Sequence, residues 1–241
     1  MPKGQVIAGA AIGIIVLGNT WYPLFPGNVA NATTYNFPVC YKPLKGGFSE
    51  IIVSPQPDPT LLKQTIGAGK ELEQQGCRAI VAACGYFANY QLEVAAALNV
   101  PCFLSSLLQI PMIGRSLKPG QKVGIICADG DALASAPALE NCGVNRPTVV
   151  IAGAQGLPQM QNILQDTGHL NSAELEQELV DFSKQVVNEN PDIGAILLEC
   201  SDMPPYAWAI QKATKLPVFD FTTLVNWVYN AVVRRPFAGF M

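Results

Sequence analysis

Histidine is almost missing from this chain of 241 residues, which contains one, His169, in the polar segment Asp-Thr-Gly-His-Leu-Asn. The chain has seven cysteines but no short Cys-x-x-Cys spacing. Zinc sites and disulfide scaffolds usually show such spacings, and scaffolds an even cysteine count. We therefore expect no metal site, a surface loop around His169 without a catalytic role, and free thiols in a reducing, cytoplasmic compartment.

Charged residues are also few, at 14% of the chain, and the formal net charge is -3. Nucleic-acid-binding proteins normally carry a basic face, so we expect no nucleic-acid partner. The apolar run at residues 6–18 follows Lys3, but it is shorter than the roughly 20 residues that a membrane helix needs, and no convincing cleavage site follows. We interpret it as a buried strand and predict a small-molecule partner and no membrane contact.

Short apolar runs bounded by Gly and Pro alternate with longer segments of helical periodicity, which is typical of parallel βαβ units. Strands are predicted at residues 11–17, 39–42, 48–54, 78–83, 101–104, 123–128, 148–152 and 193–199. Helices are predicted at residues 59–75, 90–98, 172–188 and 222–233, with others after Ser105 or Ser106 and after Asp131.

Two segments of the chain repeat each other, and each opens on a cysteine at the end of a predicted strand. The first reads Cys84-Gly-Tyr-Phe-Ala-Asn-Tyr90 and the second Cys200-Ser-Asp-Met-Pro-Pro-Tyr206. Pro and Phe continue the match at the same offset, as Pro101 and Phe103 and as Pro217 and Phe219. The repeat predicts an α/β protein of two pseudo-symmetric lobes, each a mainly parallel sheet flanked by helices.

Lobe 1 is predicted to comprise residues 1–115 and the C-terminal helix at 221–241, and it carries Cys84. Lobe 2 comprises residues 116–220 and carries Cys200. Ligands of open α/β sheets bind beyond the carboxyl ends of the strands, where both cysteines lie. We therefore predict a ligand cleft between the lobes, with one thiol on each wall.

Paired thiols at such positions suit proton transfer on both faces of one carbon. A helix that starts after each cysteine should lower the thiol pKa, and the thiolate is the reactive form. The same backbone N–H groups can hold a substrate carboxylate. One sulfur would remove the α-proton and the other would supply a proton from the opposite face, without a cofactor. Unequal neighbours should leave one sulfur as thiolate and the other as thiol.

Four segments give the chain its resemblance to a known family. They are Gly13-Ile-Ile-Val-Leu-Gly-Asn19, Cys84-Gly-Tyr-Phe, Val123-Gly-Ile-Ile, and Leu198-Glu-Cys-Ser-Asp-Met-Pro-Pro-Tyr206. Over nearly its whole length the chain resembles the cofactor-independent aspartate/glutamate/hydantoin racemase superfamily. The resemblance implies a PLP-independent isomerase, usually a homodimer, that racemises or epimerises a small carboxylate-bearing substrate, either an amino acid or a hydantoin-like compound. It implies that Cys84 and Cys200 are catalytic, and that substrate is held or the thiols tuned by Asn19, Gly85, Tyr86, Ser201 and Asp202.

The first cysteine motif departs from the racemase pattern, which usually reads Cys-Asn-Thr where this chain has Cys84-Gly-Tyr-Phe. The departure argues against aspartate or glutamate as substrate. Alternatives within the superfamily are a maleate-type cis–trans isomerase, in which one cysteine adds to the substrate, and a decarboxylase of the arylmalonate type. An alternative of another class is a two-lobe binding protein without catalysis.

Several residues have a second interpretation. Asp202 either orients the neighbouring thiol or caps the next helix. The remaining cysteines are interpreted as core side chains, with Cys127 also near enough to a strand end to line the cleft. The long segment at residues 19–38 is a lid or a dimer contact.

Overall fold

The computed structural model of the protein describes residues 8–46 and 49–241. Within them, eight strands form two sheets. The first sheet contains β1 (Ile12–Leu17), β2 (Val39–Leu44), β3 (Ala79–Ala82) and β4 (Cys102–Phe103), in the order β2-β1-β3-β4. The second contains β5 (Lys122–Cys127), β6 (Val149–Gly153), β7 (Ile193–Leu198) and β8 (Val218–Phe219), in the order β6-β5-β7-β8.

All strand pairs in both sheets are parallel. The two sheets share one strand order, so the predicted fold of two pseudo-symmetric α/β lobes is confirmed. Parallel sheets covered on both faces need strands that are apolar throughout. Accordingly, every residue of β3 and of β7 is buried.

Helices connect the strands and flank both sheets. They are α1 (Ser49–Ile52), α2 (Pro59–Gln74), α3 (Gln91–Ala97), α4 (Ile110–Ser116), α5 (Gly130–Ser135), α6 (Ala138–Asn141), α7 (Pro158–Leu164), α8 (Ser172–Glu189), α9 (Ala207–Thr214) and α10 (Phe221–Val232). Asp58 starts α2 by accepting a hydrogen bond from the backbone N–H of Leu61 at 2.7 Å. Asn171 caps α8 in the same way. The four helices with predicted bounds, α2, α3, α8 and α10, are confirmed to within about two residues at each end.

The predicted strand at residues 48–54 is wrong where the structure describes it, because residues 49–52 form the short helix α1; Phe48 lies outside the described residues. An apolar run this short fits a buried strand or a buried helical turn equally well. Here the run packs as a turn, with Ile52 buried. The helices α6 and α7, both of which are short, were not predicted from the sequence.

The last helix packs on the first sheet, although it follows the second sheet in the chain. Its apolar face, which includes Phe221 and Val225, shares one buried cluster with Ile12 and Ile14 of β1. Asp220 begins the helix with a capping box, in which its side chain accepts from Thr223 N–H at 2.8 Å. The last helix therefore packs on the lobe to which the sequence assigned it. The exact lobe boundaries stay a prediction.

Hydrogen bonds join the two lobes near the carboxyl ends of the central strands. Ser106 donates to the carbonyl of Leu198 at 2.9 Å. The Tyr86 hydroxyl donates to the carbonyl of Asp129 and accepts from the same residue's N–H. Both sheets are thereby held with their strand ends around a common space. Among the described residues, no helix combines the length and apolarity that crossing a membrane requires.

Candidate active site

Cys84 and Cys200 occupy matching positions in the two lobes. Each lies two residues beyond a central strand, β3 or β7, and each precedes a short 3-10 helix, Gly85–Tyr90 or Pro204–Tyr206. The backbone N–H two residues further on, from Tyr86 or Asp202, donates to each sulfur and lowers its pKa. Both cysteines line one cavity of about 260 Å³. The structure thus brings the two predicted thiols into a single site.

The cavity is largely apolar and acidic. Among the described residues that line it, none is Lys, Arg or His. The polar lining includes the carboxyl groups of Glu199 and Asp202, both thiols, and three tyrosines, Tyr22, Tyr41 and Tyr86. Aromatic rings and carboxylates attract cations, whereas a dianionic ligand would find no charge partner in this lining. The cavity therefore suits a ligand that carries a positive group.

Asp202 is the centre of a buried hydrogen-bond network. Its Oδ1 accepts from Asn28 Nδ2 at 2.5 Å, and its Oδ2 accepts from the Tyr22 hydroxyl at 3.1 Å and from Cys200 Sγ at 3.5 Å. Burial raises the pKa of Asp202, while these three donors favour its charged form and lower it. Asp202 is therefore placed to receive the proton of the Cys200 thiol.

The segment at residues 19–38 covers part of the cavity through this network. Tyr22, Leu24, Asn28 and Ala30 from this segment all line the cavity. The backbone N–H of Val29 also donates to the carbonyl of Ser201 at 3.3 Å. A lid role agrees with this placement, and the alternative of a dimer contact stays a prediction.

Glu199 is a fully buried carboxyl group beside both thiols. Its Oε2 accepts from the backbone N–H of Ala128 at 3.3 Å, and its Oε1 has no hydrogen-bond partner in the described part of the chain. Burial raises the pKa of Glu199 to about 8, and the charge of Asp202 adds to the rise. At neutral pH the group is therefore mostly a neutral acid.

Burial also favours the neutral thiol form of both cysteines in the cavity. Burial raises the pKa of Cys84 and of Cys200 well above the ordinary value, and the carboxyl groups of Glu199 and Asp202 raise both further. The backbone N–H groups after each cysteine do lower its pKa, but burial outweighs them. The expectations of a lowered pKa for both thiols and of one resting thiolate are therefore wrong. Each following helix begins as a short 3-10 segment, and its dipole does not offset the cost of burying a thiolate.

Of the other predicted site residues, some line the cavity and others do not. Tyr86 and Ser201 line the cavity, and Gly85 is packed against the Glu199 carboxyl group. A Cβ at Gly85 would overlap Glu199 Oε1, so only glycine fits there. Asn19 is exposed and is not among the cavity-lining residues. Neighbouring positions of the same segment, Tyr22 and Asn28, provide polar contacts instead.

The remaining cysteines lie outside the cavity lining. Cys77, Cys102, Cys127 and Cys142 are buried and Cys40 is half-buried, all as free thiols. Cys127 donates weakly to the carbonyl of Ala152 at 3.6 Å. His169 is exposed in a loop. Across the described residues, no group of three or more His, Cys, Asp or Glu side chains is arranged to hold a metal ion.

Three residues of the site were not predicted from the sequence. They are Tyr22, Asn28 and Glu199. A signal existed for Glu199, because it is a charged residue that ends the apolar run of β7 directly before Cys200. For Tyr22 and Asn28 no local signal existed. They reach Asp202 across separations of 180 and 174 residues in the chain.

Comparison with curated proteins finds dimethylsulfoniopropionate lyases. The lyase of Durusdinium sp. clade D is 28% identical over 242 residues, covering 98% of this chain and 80% of that protein. Lyase 7 of Emiliania huxleyi (strain CCMP1516) is 29% identical, covering 95% of this chain and 69% of that protein. Lyase 5 of the same strain is 28% identical over 96% of this chain, which spans 47% of that protein. No protein-family model matches the chain.

Solved structures with the same fold have other activities. A glycine-to-cysteine variant of arylmalonate decarboxylase superposes with a TM-score of 0.60 at 16% identity, covering 92% of each chain. Allantoin racemase from Pseudomonas fluorescens gives 0.60 at 15% identity, covering 95% of this chain and all of that one. Aspartate racemase from Picrophilus torridus gives 0.56 at 18%, covering 95% and 96%. The chain therefore has the two-lobe fold of these racemases and decarboxylases, while its sequence is similar to dimethylsulfoniopropionate lyases.

Proposed function

We propose that this protein is a cofactor-independent lyase that eliminates a sulfonium group from a small carboxylate, with dimethylsulfoniopropionate as the first candidate. The observation that carries the proposal is the cavity, which combines two thiols with an acidic, tyrosine-lined wall. Its described lining lacks cationic side chains. The similarity to dimethylsulfoniopropionate lyases supports the same reading.

The substrate's charge distribution fits this lining. Dimethylsulfoniopropionate is a zwitterion, with a sulfonium cation separated from its carboxylate by two methylene groups. The tyrosine rings and Asp202 favour the sulfonium, and backbone N–H groups at the strand ends can hold the carboxylate. An amino dicarboxylate would instead bring a second negative charge into an acidic cavity, which argues against aspartate or glutamate as substrate.

Cys200 is the proposed base, because its sulfur is hydrogen-bonded to the Asp202 carboxylate. A sulfonium cation about 5 Å from the sulfur would favour the thiolate by about 3 kcal/mol at an effective dielectric constant of about 20. This corresponds to a fall of about two units in the thiol pKa. Substrate binding therefore lowers the pKa of the Cys200 thiol, and the hydrogen-bonded Asp202 carboxylate is placed to receive its proton.

The elimination then needs one proton transfer and one bond cleavage. The Cys200 thiolate takes the α-proton, the C–H electron pair forms the carbon–carbon double bond, and the carbon–sulfur pair leaves with sulfur. The products are acrylate and neutral dimethyl sulfide, so the leaving group needs no general acid. Asp202 returns its proton to solvent, and Cys200 is again a thiol.

The test is release of dimethyl sulfide and acrylate from dimethylsulfoniopropionate by the purified protein. We expect equimolar products from the wild type and a loss of about 10²-fold or more in kcat/KM for Cys200→Ala, since the base is removed. Cys40→Ala, a half-buried cysteine outside the cavity lining, is the matched control and should retain activity. Absence of product from the wild type would rule out this substrate class.

A second candidate is racemisation, and the matched surroundings of Cys84 and Cys200 favour it. Each sulfur accepts a backbone N–H from the residue two positions on, which suits acid and base roles that exchange between enantiomers. In a racemase, Cys84 would protonate the carbon face opposite Cys200. Solvent deuterium would then accumulate at the α-carbon of a chiral carboxylate without elimination. A binding protein would show neither product nor exchange.

A further inference from the structure

We propose that Glu199 is a further catalytic residue, which donates a hydrogen bond from its neutral carboxyl group at Oε1 to the carboxylate of the substrate. The inference rests on the proposed function, because it assigns the carboxylate subsite of the same cavity. Neither the cysteine repeat nor the similarity to the lyases singles out this residue. The geometry around the side chain does.

The Glu199 carboxyl group is buried, with one oxygen hydrogen-bonded and the other without a partner among the described residues. The side chain has no solvent exposure and lines the cavity. Ala128 N–H donates to Oε2 at 3.3 Å, which leaves Oε1 as the oxygen with no partner in the described part of the chain. A buried polar atom without a partner costs free energy, and a ligand atom that pairs with it removes that cost.

The backbone beside Glu199 also makes room for this oxygen. A Cβ at Gly85 would overlap both Glu199 Oε1 and the Glu199 carbonyl oxygen, so the glycine permits a close approach of the two lobes here. Cys84 immediately precedes Gly85 and lines the cavity. Oε1 therefore lies at the lobe boundary, against the glycine that directly follows Cys84.

The surrounding titratable groups favour the neutral acid over the carboxylate. Cys84 and Tyr86 after β3, Cys127 at the end of β5, and Cys200 and Asp202 after β7 all interact electrostatically with Glu199. None of these groups is a cation. Burial raises the pKa of Glu199 to about 8, so the proton needed for donation is present at neutral pH.

A neutral donor at this position is useful in the reaction. Removal of the α-proton pushes negative charge onto the substrate carboxylate, which takes on enediolate character. A buried carboxylic acid can hydrogen-bond to that charge, whereas an ionised glutamate would repel it. The described lining offers no Lys, Arg or His for this role.

Propionate binding tests the subsite without any assumption about the reaction. Isothermal titration calorimetry at pH 6.5 would compare the wild type, Glu199→Gln and Glu199→Ala. Glutamine should keep the contact, because Ala128 N–H will pair with the amide oxygen and leave the amide NH2 in the place of Oε1. We expect Glu199→Gln to bind propionate within about threefold of the wild type and Glu199→Ala to bind at least about tenfold more weakly.

The ethyldimethylsulfonium cation, which has no carboxylate, is the matched control ligand. Its affinity should change by no more than about threefold in either variant. The inference is overturned if the wild type does not bind propionate, if glutamine weakens propionate binding as much as alanine does, or if the sulfonium cation loses as much affinity as propionate.

The pH profile provides a second readout, which also serves if Glu199→Ala does not fold. Propionate affinity of the wild type should fall above pH of about 8, where Glu199 ionises, and that of Glu199→Gln should not. Glu93→Gln, an exposed substitution on α3, should keep the wild-type profile. Equal profiles for wild type and Glu199→Gln would overturn the inference. A wild type that binds propionate but releases no dimethyl sulfide would instead refute the proposed lyase function alone.

Discussion

Replacing Glu199 by glutamine should change how the stability of the fold depends on pH, independently of any activity. In the folded protein, burial raises the pKa of Glu199 from 4.5 to about 8. Between these values the folded state holds a proton that the unfolded state has released. Stability therefore falls as pH rises through this range, because the unfolded state binds fewer protons.

The structure sets the size of the effect. At about 1.4 kcal/mol per pH unit, the interval from 4.5 to about 8 corresponds to about 5 kcal/mol. Glutamine has a similar shape and no ionisable proton, so Glu199→Gln should lack this contribution. Between pH 5.5 and pH 7.5, the variant should gain about 3 kcal/mol in unfolding free energy relative to the wild type.

Urea unfolding of both proteins at several pH values measures this difference. Asp220 also has a raised pKa, but it contributes equally to both proteins and cancels in the comparison. Glu93→Gln is the control for removing a glutamate charge from an exposed position. A difference between Glu199→Gln and wild type that does not vary with pH would refute a neutral, buried Glu199.

Three other substitutions test separate parts of the structure. Gly85→Ala should abolish activity and lower the melting temperature, because its Cβ would overlap the Glu199 carboxyl group; a variant with wild-type melting and activity would contradict that packing. Asn28→Ala removes a donor from Asp202 and should raise KM about tenfold, so an unchanged KM would argue against the lid contact. Asp220→Ala removes the cap of α10 and should cost about 1–2 kcal/mol, seen as a fall of roughly 2–8 °C in thermal melting; no fall would contradict the capping role.

The framework of the fold could be predicted because its signals are local. Apolar runs with Gly and Pro boundaries located most of the strands, and the cysteine repeat located both lobes. The segment that contains α1 failed because four residues are too few to show a period. The two-cysteine site followed from the repeat, since equivalent strand ends meet in such a fold.

The chemistry of the site was harder to predict, because it depends on burial and on distant contacts. The sequence pattern predicts lowered thiol pKa values, but burial raises both, and the carboxyl groups of Glu199 and Asp202 raise them further. The Tyr22 and Asn28 contacts cross from one lobe to the other and leave no pattern in the sequence. The expected homodimer and the cytoplasmic location stay predictions.

In the proposed reaction, the Cys200 thiolate removes the α-proton of the substrate and dimethyl sulfide leaves. The most direct test is one proton NMR time course in D₂O, with the protein and dimethylsulfoniopropionate. We predict acrylate and dimethyl sulfide in equal amounts, both lost in Cys200→Ala and both retained in Cys40→Ala. Unchanged substrate, or product formation that persists at the wild-type rate in Cys200→Ala, would contradict it.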